Sequence, residues 1–316
     1  MTFDLVRDSW FLTGPTASGK TAVGVELALR LGAEIVSLDS MALYRGMDIG
    51  TAKPSLSQRD AARHHLLDLA DPRREFSLAE YVDQAHHVAG EIASRGRAVL
   101  FVGGTPLYLK ALLRGMFHGP PADEAFRRDK EAEAREHGEG HLHGQLAEVD
   151  PASAAKLHAN DIRRLIRALE VYEKTGQPIS ALQQQFDRAV PQDQCRVFLL
   201  DWPREALYER INRRVEGMFA EGFVEEVREL LAGGPLGRTA AQAVGYREVI
   251  EHLKRRRDLA ETIDLVKTRT RQFAKRQLTW FRGLSECRPV AMSEASATTA
   301  VVDAILQLAE DASSSA

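Results

Sequence analysis

Cysteine is almost missing from this chain of 316 residues; only Cys195 and Cys287 occur, far apart. Neither sits in a paired Cys/His spacing, which excludes a structural zinc module and predicts two buried thiols in a reducing compartment. Long apolar runs are missing too. The longest, near residues 98–109, is broken by glycines and a proline and is too short to span a bilayer. At the amino end, Asp4 and Arg7 interrupt the chain before a signal-peptide core could form. Together these absences predict a cytoplasmic protein with no membrane partner. Strong charge of one sign is also lacking: the net charge is −3, so contact with a polyanion must come from basic residues gathered on one face. There is no internal repeat, and nothing in the composition demands more than a monomer.

What is present is an alternation of short apolar runs with helical patterns, the signature of strand-helix-strand units and a parallel sheet. Strands are predicted at Ser9–Thr13, Glu34–Leu38, Ala98–Val102, Arg196–Asp201 and Cys287–Ala291, with helices at Gly19–Leu31 and Leu78–Ser94. A further helical region, Arg204–Arg282, is interrupted at Gly233, Gly234 and Pro235. After Pro120 and Pro121 the strand signal stops and charged helical patterns take over. The expected fold is α/β, a nucleotide-kinase-like parallel sheet with an all-helical insertion. Residues 1–119 and 191–310 form the core, 120–190 the insertion, and the small polar residues 311–316 a disordered tail.

Gly14-Pro15-Thr16-Ala17-Ser18-Gly19-Lys20-Thr21 follows a predicted strand and opens a predicted helix, as a phosphate loop requires. Its glycines let successive N–H groups turn inward, the helix start adds its positive end, and Lys20 adds a charge. The Thr21 hydroxyl suits a magnesium ion that bridges phosphate oxygens. The loop specifies a polyphosphate and not which one. A phosphate-loop NTPase normally ends a second strand in an acidic residue that places metal and water. Here Ala98–Val102 runs into Gly103-Gly104-Thr105. The carboxylate on offer is Asp39, after the strand Glu34–Leu38, at the sheet edge where such folds bind ligands; a turn or helix cap is the other reading of an aspartate there.

The segment from Asp39-Ser40-Met41-Ala42-Leu43-Tyr44-Arg45-Gly46 to Gly50-Thr51-Ala52-Lys53-Pro54 resembles the signature of the bacterial tRNA dimethylallyltransferases. So do Gly14 to Thr21, Val102-Gly103-Gly104-Thr105, Arg163 to Glu170, Val244-Gly245-Tyr246 and Arg271 to Gln277, in the family's order. The resemblance implies transfer of a dimethylallyl group from dimethylallyl diphosphate to the exocyclic amine of the adenine 3′ of the anticodon, with Mg2+ as the metal. It implies Asp39 as general base, Thr105 near the reacting amine and Arg214 against the diphosphate. It also implies RNA contacts at Asp39, Ser40, Met41, Ala42 and Thr105, at Arg127, at Arg163, Arg164, Leu165, Ile166 and Arg167, and at Gln242, Arg247, Arg271 and Lys275. The chain lacks the C-terminal zinc finger of eukaryotic relatives, and its Gln242-Ala243 is one of several variants at that site.

The chemistry suits these residues. An adenine amine is a weak nucleophile that benefits from a carboxylate to take its proton, and a departing diphosphate needs fixed donors. From Ile162, apolar residues recur at Leu165, Ile166, Leu169 and Tyr172 with Arg163, Arg164 and Arg167 opposite. By spacing this is a solvated helix face; by the resemblance it touches the anticodon stem-loop. Lys267, Arg271, Lys275 and Arg282 share one side of a later helix and can track phosphates. Val266, Phe273, Trp280 and Phe281 on another side read as core. Arg210, Arg213 and Arg214 recur at helical spacing, as lid arginines of phosphate-loop kinases do; surface ion pairs with Glu209 or Glu216 are the other reading of Arg210 and Arg213. His64 and His65, adjacent on an extended segment, point opposite ways and suit no shared metal. The rival readings are a small-molecule kinase, a non-catalytic RNA binder and a prenyltransferase of free adenine nucleotides.

Overall fold

The computed structural model describes residues 3–314. They form two compact units: one comprises the chain up to Leu113 and from Ala189 onward, the other Arg114–Arg188.

The first unit is built on six strands, β1 (Ser9–Thr13), β2 (Ala33–Ser37), β3 (His64–His65), β4 (Ala98–Gly103), β5 (Arg196–Asp201) and β6 (Cys287–Ala291). They lie in the order β3-β2-β4-β1-β5-β6, and every pairing is parallel. Strands covered on both faces need continuous apolar runs, which is why Trp10-Phe11-Leu12 and Val99-Leu100-Phe101 carry no alternation. Phe11 stacks on Phe101 across the β1–β4 pair, with ring centroids 4.9 Å apart.

Helices follow where their stop and start signals sit. Lys20–Leu31 begins after Gly19 and ends at Gly32, both left-handed, so Gly19 stands outside the helix expected from that residue on. Leu78–Ser94 starts with a capping box in which Ser77 accepts from the Glu80 N–H and the Glu80 carboxylate accepts from the Ser77 N–H. β2 begins and ends one residue earlier than the apolar pattern suggested. Leu38 still donates its N–H to the Val102 carbonyl, so the chain leaves the sheet just before Asp39. Both cysteines are buried, and burial pushes the Cys195 thiol up to about 11.

Leu12, Leu100, Phe198 and Leu200 pack with Val23, Leu27, Val302 and Ile305 in the main core. A second cluster gathers Tyr44, Met47, Phe223, Tyr246 and Val249 beneath the loop that follows Asp39. The last helix, Thr298–Ser314, runs into the stretch expected to be a disordered tail, because no glycine or proline stops it; residues 315 and 316 of that stretch lie outside the described residues.

The second unit is helical throughout its described elements, with Glu124–His137, His141–Val149 and Ile162–Thr175 packed around Leu142, Leu146, Leu165 and Ile166. At its centre the buried Glu170 carboxylate accepts from Arg127 at 2.9 Å, from Arg167 at 2.6 Å and from the Asp123 N–H at 2.7 Å.

Among the described residues, no helix is long and apolar enough to cross a membrane.

Candidate active site

In a parallel sheet the C-terminal strand ends share one edge, and a crevice opens where neighbouring strands send their chains to opposite faces. β1 lies between β4 and β5. Loops leaving β1, β2, β4 and β5 therefore supply the residues discussed next.

The loop after β1 is a curled cradle. Ala17 takes a left-handed conformation at φ 64°, a backbone state in which residues other than glycine are uncommon. Its carbonyls are pulled outward by residues that follow β5: Trp202 donates Nε1–H to the Ser18 carbonyl and Arg210 donates Nε–H to the Ala17 carbonyl, each at 2.9 Å. The Arg210 guanidinium lies 4.4 Å from the Trp202 ring centroid, so the two clamps brace each other. Arg210 is thus a loop clamp and not a surface ion pair, whereas Arg213 pairs with Glu294. Inside the cradle Lys20 donates to the Pro15 carbonyl at 2.6 Å, and the buried Ser18 hydroxyl has no protein partner. Burial, then the nearby Arg214 charge, lower the Lys20 amine to about 7, with Asp39 opposing them. Arg214 is itself lowered by burial; its Nη1 lies 3.4 Å from the Thr16 hydroxyl and its Nη2 3.5 Å from the Thr51 carbonyl. Lys20, Arg214 and Asp39 are therefore within each other's field.

Asp39 caps the turn that follows it. Its Oδ1 accepts from the Met41 N–H at 2.8 Å and the Ala42 N–H at 3.3 Å, which orients the carboxylate. Thr105, after β4, accepts the Ser40 N–H on Oγ1 at 3.0 Å and donates its own N–H to the Leu38 carbonyl at 3.2 Å. The turns after β2 and β4 are so close that a side-chain carbon at Gly103 would run into the Leu38 carbonyl. That approach explains why β4 ends in glycine: the space an acidic side chain would fill holds backbone of the neighbouring strand. Tyr81 donates to the Ser37 carbonyl and stacks on Tyr108 at 3.9 Å. Burial raises both phenols, and the Asp39 charge adds to it.

Magnesium fits the cradle in a limited way. Among the described residues no group of three or more His, Cys, Asp or Glu side chains gathers as a metal cage. A magnesium ion that keeps waters and shares phosphate oxygens needs only one or two protein ligands, and the Thr21 hydroxyl, in the first turn of the loop's helix, is of the right kind. His64 and His65 have diverging partners: the Ala62 carbonyl for one, the Glu34 carboxylate for the other.

The matching family model, described as IPP transferase, covers residues 42–284. The chain belongs to the IPP transferase family. It is 51% identical over 300 residues to a tRNA dimethylallyltransferase of Rhodopirellula baltica, covering 92% of this chain and 90% of the relative. To the tRNA dimethylallyltransferase of Geobacter metallireducens it is 49% identical over 276 residues, 86% of this chain and 89% of that one. The solved full-length tRNA isopentenylpyrophosphate transferase of Bacillus halodurans superposes with a TM-score of 0.71 at 38% identity, over 98% of each chain. A eukaryotic dimethylallyltransferase described as acting on tRNA gives 0.72 at 25% identity, over 90% of this chain and 74% of that one.

The residues expected to meet RNA divide by exposure. Arg163, Arg164, Gln242, Arg247 and Lys275 are exposed, with Arg164 paired to Asp161 and Arg247 to Glu248. Leu165 and Ile166, at 0% and 4% exposure, are core of the helical unit, because the apolar stripe they belong to faces inward. Arg127 and Arg167 are held on Glu170, and the Ala42 side chain is buried. Arg271 donates to Asn212 at 2.6 Å. Phe273 and Trp280, read as core, are 36% and 42% exposed, since the buried face of Leu259–Arg282 runs instead through Val266, Ala274, Gln277, Leu278 and Phe281. Trp202 and Gln277 were not expected at the site. Gln277 closes the block Arg271 to Gln277 that carries part of the resemblance, and it is an amide on a mostly apolar helix face; neither signal gave it a role.

Proposed function

We propose that this chain transfers a dimethylallyl group from dimethylallyl diphosphate to the N6 amine of the adenine 3′ of the anticodon in tRNA. The observation that carries the reading is the convergence of Lys20, Arg214 and Asp39 at one sheet edge where β4 ends in Gly103 instead of a carboxylate. The cradle, Lys20 and Arg214 hold the diphosphate. Magnesium, held by the Thr21 hydroxyl when bound, supplies further charge to the departing oxygens. As the prenyl C1–O bond breaks, its electron pair goes to the diphosphate; the N6 lone pair forms the new N–C1 bond and the N6 proton passes to Asp39. Thr105, tied to Ser40, stands beside that carboxylate and orients the amine. Exposed Arg163, Arg164 and Lys275 contact phosphates of the anticodon stem-loop, and the protein works as a cytoplasmic monomer.

The test is incubation with magnesium and labelled dimethylallyl diphosphate, with either unmodified tRNA or AMP. Label enters tRNA alone, and Asp39→Ala lowers the rate by about 10²- to 10⁴-fold. Phosphate transfer from ATP to a small alcohol would establish the kinase reading instead.

A further inference from the structure

The long helix Leu259–Arg282 buries Val266, Ala274, Leu278 and Phe281, and among them Gln277, only 5% exposed. A carboxamide taken out of water is destabilising unless both its ends are paired. Here both are. Oε1 accepts the Thr16 N–H of the phosphate cradle at 2.9 Å, and Nε2 donates to the Gly104 carbonyl after β4 at 2.5 Å. The junction is crowded: a side-chain carbon at Gly104 would lie 2.9 Å from the Gln277 Nε2, 3.2 Å from the Gly14 carbonyl and 3.4 Å from the Lys20 Nζ. From Gly104 the chain passes directly to Thr105, whose N–H and hydroxyl grip Leu38 and Ser40 on either side of Asp39.

We propose that Gln277 is a positioning residue that fixes the distance between the diphosphate cradle and the Thr105–Asp39 pair. It holds one by Thr16 and the other by Gly104, without touching either substrate. The inference rests on the prenyl-transfer reading, in which the leaving group sits on the cradle and the proton acceptor beside Thr105. Displacing one from the other by about 1 Å costs on the order of a hundredfold in rate, because attack requires aligned partners at contact distance.

The experiment compares Gln277→Leu and Gln277→Glu with the wild type. Binding of dimethylallyl thiolodiphosphate is measured without RNA, and single-turnover prenylation with saturating donor and tRNA. Gln277→Leu is expected to lower the single-turnover rate about a hundredfold and weaken the analogue about tenfold, with KM for tRNA within about threefold of wild type. Gln277→Glu can accept from Thr16 when ionised but donates to Gly104 only when protonated, so its rate relative to wild type rises at least about tenfold from pH 8 to 5.5. The corresponding ratio for Gln277→Leu stays flat. A rate and an analogue affinity within about threefold of wild type in Gln277→Leu, or a pH-independent ratio in Gln277→Glu, overturns the proposal; the glutamate variant decides alone if the leucine variant does not fold. Absence of label in tRNA with the wild type would overturn the functional reading, while RNA-free analogue binding still judges Gln277.

Discussion

Lys20 makes donor binding a proton-uptake reaction. In the free protein its amine titrates near 7, lowered from 10.5 by burial and by Arg214. A diphosphate in the cradle reverses the balance, since its negative charge favours the ammonium form and draws the amine well above 7. At pH 6 about nine-tenths of free Lys20 is charged, and at pH 9 about one-hundredth, so donor affinity falls by roughly fifty- to a hundredfold across that range with a limiting slope of one proton per donor. The donor titrates as well. Lys20→Arg, which stays charged throughout, cancels that contribution. Calorimetry of dimethylallyl thiolodiphosphate between pH 6 and 9, in buffers of differing ionisation enthalpy, should give a wild-type Kd that climbs relative to the arginine variant only above pH 7. A ratio constant from pH 6 to 9 would refute the argument. Stability responds to pH in the opposite direction. Between about 7 and 10.5 the unfolded chain holds a proton that the folded chain has released, so stability from this group rises with pH in that window and Lys20→Met removes the rise.

Three further outcomes follow from the geometry. Gly103→Ala, which forces β4 from the Leu38 carbonyl, should destabilise the chain by about 1–3 kcal/mol in a urea titration; a change under about 0.5 would mean that the turns separate freely. Glu170→Ala leaves Arg127 and Arg167 facing each other without their carboxylate and should cost about 3–5 kcal/mol in thermal unfolding. Burial alone would raise Glu170, but hydrogen bonds from Arg127, the Asp123 N–H and Arg167 bring it below its ordinary value. Its contribution is therefore complete above about pH 4.5 and fades as acid reaches the folded-state value, a fade the alanine variant should lack. Donor hydrolysis without RNA should be at least about a hundredfold slower than transfer to tRNA, since no carboxylate ends β4 to activate water; equal rates would contradict this.

How much was legible in the sequence depended on how local the cause was. Ser9–Thr13, Leu78–Ser94, Arg196–Asp201 and Cys287–Ala291 appear with the expected limits, because apolar runs and caps such as Ser77 with Glu80 are written in consecutive residues. The cradle and Asp39 were legible as motifs. The contacts of Trp202 and Gln277 were not, since each acts on a loop more than 180 residues away; the sequence shows an aromatic after a strand and the last residue of a motif block, with no role for either. Arginine spacing on the helix Ile162–Thr175 suggested one basic surface; the buried Glu170 divides it, holding Arg167 and leaving Arg163 and Arg164 exposed. The reach of a long side chain toward a buried partner is not fixed by helical period alone.

The same long-range contacts bear on how one phosphate loop serves prenyl transfer in place of phosphoryl transfer. A loop that hands on a phosphoryl group needs a carboxylate to manage metal and water at the neighbouring strand end. Here that strand end is filled by the approach of Leu38 to Gly103, and Asp39 is the carboxylate turned toward the cradle's charges, through the caps it makes to Met41 and Ala42. Closing the gap between β2 and β4 thus does two things at once. It leaves the end of β4 without a carboxylate to place water, and it brings Thr105 to Ser40, next in the chain to Asp39, the base of the proposed transfer. The selectivity for a nucleobase over water would then arise from where backbone lies, and only secondarily from which side chains surround the phosphates.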